Sequence, residues 1–63
     1  MRYKCEVKGH DGTEIFILNA QNSSKAVNRA KRKYLRKQEQ SEWNELTGRV
    51  IAVWRWLPGW VKK

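Results

Sequence analysis

Cysteine, histidine, methionine and proline each occur once in these 63 residues, and no apolar run approaches the ~18 residues of a membrane span. The lone Cys5 excludes an internal disulfide. One cysteine and one histidine, His10, also fall short of a structural zinc site, which takes about four such ligands. A chain this short buries only about 60% of the surface its unfolded form exposes, so its core is marginal, worth roughly 3–5 kcal/mol. Any further stability then comes from self-association or a bound partner. Catalytic patterns are missing as well: there is no second histidine, no serine paired with a base and no glycine loop for phosphate, and His10, Asp11 and Glu14 fall in and beside a turn. The expectation is a binding protein that is not an enzyme and holds no metal or cofactor. Met1-Arg2-Tyr3-Lys4 opens no apolar leader, and a single thiol suits a reducing compartment, so the expected location is the cytoplasm.

Acidic residues are scarce too: six stand against 14 Lys and Arg, for a net charge of +8. That sign excludes an acidic DNA mimic and suits nucleic acid, an acidic protein surface or anionic lipid. Lys25, Arg29, Lys31, Arg32, Lys33, Arg36 and Lys37 crowd into one segment with no acidic residue among them. At 100° per residue, Lys25, Arg29, Arg32 and Arg36 form one stripe, and Ala26, Val27, Ala30 and Tyr34 gather opposite. The spacing predicts an amphipathic helix from about Ser24 to Gln38, with Ser23 or Ser24 as its N-cap. A helix face that is merely solvated gains about 0.2–0.5 kcal/mol from each opposite-sign i,i+4 pair. No glutamate here supplies one. The ridge of Lys25, Arg29, Arg32, Lys33 and Arg36 therefore reads as a recognition surface for an anionic partner.

Upstream, Tyr3, Cys5 and Val7 alternate with Arg2, Lys4, Glu6 and Lys8, the period of a strand with one buried face, which makes Cys5 an inert core thiol. Gly9-His10-Asp11-Gly12 predicts a hairpin turn in which Asp11 and Gly12 tolerate positive φ. The return strand, Glu14 to Ala20, is apolar without alternation, so both of its faces call for cover. Downstream of the helix, Trp43 and Leu46 are placed to pack back as a last turn or short second helix, closed by Gly48 as C-cap. Val50 to Trp56 is β-branched and aromatic, a third strand, and Leu57-Pro58-Gly59-Trp60 is a turn leading into a short tail. The expected fold is a single α+β domain of order β-β-α-β, a three-stranded antiparallel sheet in the order 3-1-2 with the basic helix on one face.

That arrangement leaves the other sheet face open. With Tyr3, Cys5 and Val7 toward the helix, Arg2, Lys4 and Lys8 face away, beside either Trp54 and Trp56 or Ile51, Val53 and Arg55. Four tryptophans exceed what one small core can hold. Trp54, Trp56, Trp60 and Arg55 are therefore candidate contacts for DNA or RNA, aromatic rings stacking on bases while cations hold phosphates. The apolar runs from Ile15 to Leu18 and from Val50 to Trp54 also make a homodimer through the exposed sheet an expectation.

The pattern Tyr3-x-Cys5-x-Val7, a turn, Glu14-x-Phe16-x-Leu18-x-Ala20, Ser24-x-Ala26-x-x-x-Ala30-x-x-x-Tyr34 and Gly48-Arg49-Val50 resembles, in layout, very small phage-encoded proteins that inactivate host machinery. It is similar to the short inhibitors of bacterial RNA polymerase carried by podophages and to compact basic anti-CRISPR proteins, with a helix more basic than that of the polymerase inhibitors. The resemblance implies stoichiometric binding that blocks an acidic or nucleic-acid-handling protein assembly in the host cytoplasm.

Overall fold

The structure, a computed structural model, describes residues 1–44 and 47–63. Strand β1 (Arg2–Gly9) turns through His10 and Asp11 into β2 (Gly12–Asn19), helix α1 (Ser23–Lys37) crosses the sheet, and β3 (Arg49–Trp56) returns beside β1. A further strand, β4 (Trp60–Lys62), then pairs with β3. The sheet is antiparallel, in the order β2-β1-β3-β4. The α+β class is as expected, but the three-stranded sheet is corrected to four strands. The supposed tail is a strand because Gly59, at φ +97, closes a tight turn with Leu57 N–H donating to Gly59 O at 2.8 Å, which sets Trp56 opposite Trp60.

Alternation in β1 sends Tyr3, Cys5 and Val7 toward the helix, all buried. Leu18, Ala20, Ala26, Ala30 and Tyr34 complete the core, with Phe16, Trp43, Val50 and Val53 packed around it. Burial pushes the Cys5 thiol above its ordinary pKa, as expected for an inert core cysteine. Ala26 and Ala30 let the helix backbone approach the sheet closely. Tyr34, one turn on, inserts its ring between Phe16 and Trp43, edge-on to both at centroid distances of 6.5 and 5.9 Å. Its hydroxyl rests over Gly9, where a Cβ would overlap it.

The helix begins one residue before the expected start. Asn22, not Ser23 or Ser24, is the N-cap, its Oδ1 accepting from Lys25 N–H at 2.9 Å. All three residues are competent caps, and the register that buries Ala26 and Ala30 selects among them. At the other end Gln40 N–H donates to Leu35 O and Glu39 N–H to Arg36 O, at 2.9 and 3.2 Å, with Glu39 at φ 56. This is a Schellman closure with glutamate where glycine is usual. The expected C-cap at Gly48 is thus corrected, and no second helix forms over 39–44; Leu46 lies outside the described residues. Glu39→Gly is expected to raise stability by about 1 kcal/mol, since it relieves a left-handed side chain and removes a carboxylate from the negative end of the helix dipole. A urea midpoint that rises at unchanged slope is the supporting result, and one that stays or falls contradicts it.

The hairpin forms as expected, and of the Asp11-Gly12 pair it is Gly12, the first residue of β2, that takes positive φ, at +119. No helix among the described residues is long and apolar enough to cross a membrane.

Candidate nucleic-acid interface

The facing of β3 depends on one residue. Against β1, Ala52 pairs with Glu6 and Val50 with Val7, so Ile51 is an extra residue in a β-bulge. The bulge sends Val50 and Val53 together toward the helix, although they are three apart. Ala52, Trp54 and Trp56 fall on the open face, and Arg55, opposite Tyr3, falls on the helix side. Of the two arrangements left open by the sequence, the tryptophans therefore lie with Lys4, and Arg55 is separated from them. Arg55 is half-buried, with its Nε lacking a hydrogen-bond partner among the described residues.

On the open face, Lys4 is the hub. It pairs across the ladder with Trp54, and its Nζ lies 4.5 Å from the Trp54 ring centroid and 5.0 Å from that of Trp60. Lys62, opposite Trp54 on β4, places its Nζ 6.0 Å from the same indole. Trp56 and Trp60 meet edge to face at 5.2 Å, and Trp56 remains 44% exposed. Contacts of an ammonium with an indole contribute about 0.5–1 kcal/mol at exposed sites and about 2 when desolvated. Across β1, Ile15 and Ile17 extend the apolar surface, both more than half exposed. Glu6 is the single acidic residue that the ladder sets on this face, against Arg2, Lys4, Lys8, Arg49 and Lys62.

The fourth tryptophan, Trp43, belongs to the core edge on the helix side, with Lys31 Nζ 5.4 Å from its ring. The expected ridge occupies the outward side of α1. Lys25, Arg29, Arg32, Lys33 and Arg36 are all exposed. Lys25 donates to Gln21 Oε1 at 2.6 Å and Arg29 Nη1 to Asn19 O at 2.8 Å, which fixes the first two side chains. Lys37 is engaged by both carboxylate oxygens of Glu14 at 2.7 Å. Arg32, Lys33 and Arg36 make no protein hydrogen bond among the described residues.

The candidate residues therefore divide between two surfaces on opposite sides of the molecule, the indoles on the open sheet and the cations of the ridge on the helix. Lys4 and Lys62 were absent from the sequence-derived site. The alternation of β1 was the available signal for Lys4, whereas Lys62 was hidden by reading β4 as a tail. No protein-family model, curated protein or solved structure matches the chain.

Proposed function

We propose that this chain binds single-stranded nucleic acid on the open face of its sheet. One observation carries the reading: Trp54, Trp56 and Trp60 share an uncovered face with Lys4 and Lys62, with the Lys4 ammonium between two of the indoles. Bases stack on Trp56 and Trp60, while Arg2, Lys4, Lys8 and Lys62 neutralise phosphates. An arriving base displaces the Lys4 ammonium from the indole, and the ammonium moves to the adjoining phosphate. Nothing on this face is arranged to read base edges, so binding tolerates sequence. Charge opposes the expected homodimer here, because a two-fold contact through this face gathers the cations of both copies, Lys4 and Lys62 among them, into one interface.

The test is a titration of tryptophan fluorescence with an oligothymidylate over a range of salt concentrations. Quenching is expected, with log K falling linearly in log salt at a slope of about −0.7 for each phosphate neutralised. Absence of quenching at low salt, or an affinity indifferent to salt, overturns the reading.

A second reading follows from the exposure of Arg32, Lys33 and Arg36: a phage-type inhibitor whose ridge docks on an acidic surface of a host RNA polymerase or CRISPR effector. Under it the purified chain inhibits at a 1:1 ratio with the target, even where oligonucleotide competes for the sheet face.

A further inference from the structure

The two cationic surfaces point away from each other, and a strand lying on the sheet cannot reach the ridge without wrapping round an edge. The body between them measures 20 and 16 Å along its shorter axes. That separation exceeds the screening length of about 8–10 Å at 0.1–0.15 M salt, so two anionic segments held on opposite sides scarcely repel each other. The ridge has its own fit to a phosphate chain. Lys25, Arg29, Arg32 and Arg36 climb the helix in steps of three or four residues, about 4.5–6 Å apart along its axis. The guanidinium forks of Arg32 and Arg36 are exposed with no protein partner among the described residues, and each fork offers paired donors to phosphate oxygens. No aromatic side chain lies among the ridge residues. This surface can hold backbone but has nothing on which to stack a base.

We infer that one molecule bridges two nucleic-acid segments, stacking the bases of one on the open sheet and gripping the phosphates of the other along the helix ridge. The inference rests on the proposed sheet interface and adds a second, chemically different one. The ridge contact is electrostatic throughout, so the bridge dissolves at lower salt than the sheet complex does.

The experiment mixes donor-labelled and acceptor-labelled oligothymidylate with less than one protein per strand, reading energy transfer between strands and tryptophan quenching together. The wild-type chain is expected to give both signals. Arg32→Gln with Arg36→Gln is expected to keep the quenching and lose at least about tenfold of the transfer per bound protein, a change of two phosphate contacts. Lys31→Gln with Lys63→Gln removes the same charge from the helix side of the sheet, away from the open face and from the ridge residues, and is expected to keep both signals. Quenching without transfer in the wild type overturns the bridge and leaves the sheet reading standing. Equal loss of transfer in both double variants assigns it to general condensation by charge and overturns the bridge. Transfer that survives in the Arg32/Arg36 variant, as linkage through a dimer would give, overturns it as well. Transfer without quenching removes the sheet interface and the bridge together.

Discussion

Alanine at both Trp56 and Trp60 is expected to weaken oligothymidylate binding by at least about 30-fold at fixed salt, from a stacking contribution of about 1–3 kcal/mol per base. The two indoles touch each other on the open face and are absent from the core cluster, so the fold should survive their truncation. Near-ultraviolet and thermal melting measurements on the variant separate lost contact from lost structure. Ile15→Ala on the same face serves as the comparison. Ile15 is 55% exposed and carries neither charge nor ring, so its truncation is expected to change affinity less than threefold. A double tryptophan variant that binds within threefold of the parent, measured by anisotropy of a labelled strand, would remove the open sheet from consideration.

The largest stability effect is expected at Gly9. A Cβ there overlaps the Tyr34 hydroxyl and stands 2.8 Å from Cζ of the same ring. Gly9 is not among the glycines with positive φ, so its backbone accepts alanine and the cost is purely one of space. Tyr34 is 3% exposed and wedged between Phe16 and Trp43, and it cannot withdraw without loosening both. Gly9→Ala is expected to cost about 2–4 kcal/mol, between ordinary overpacking and loss of a buried aromatic. That approaches the whole stability of a domain this size, about 3–5 kcal/mol. In urea denaturation, Tyr34→Phe in the Gly9→Ala background should recover part of the loss, because it removes the overlapping oxygen and leaves the close ring carbon. A Gly9→Ala chain as stable as the parent contradicts this packing.

Much of this architecture was legible in the residues because each signal was local. The alternation around Tyr3, Cys5 and Val7 gave β1 and its buried face, the glycines on either side of His10 and Asp11 gave the hairpin, and the spacing of Ala26, Ala30 and Tyr34 gave the helix and its inward side. What was not legible depended on partners far along the chain. In Arg49–Trp56 nearly every residue suits a strand, so nothing marks Ile51 as extra until β1 sets the register. Trp60–Lys62 is only three residues long and ends in cations, the composition of a solvated tail. Glu39 carries no sign of its left-handed backbone, which the helix end imposes. The ridge was legible from charge alone. The grouping of Trp54, Trp56 and Trp60 around Lys4 needed both the bulge and the fourth strand, and so could be posed from sequence only as one of two alternatives.

The position of Lys4 has one more consequence. Its ammonium already sits against the indoles of β3 and β4 in the free protein, so those rings are immobilised by folding and an incoming guest need not order them. Association then carries a smaller entropic penalty than a floppy aromatic surface would impose, and the trade is one cation–ring contact for another stacking partner.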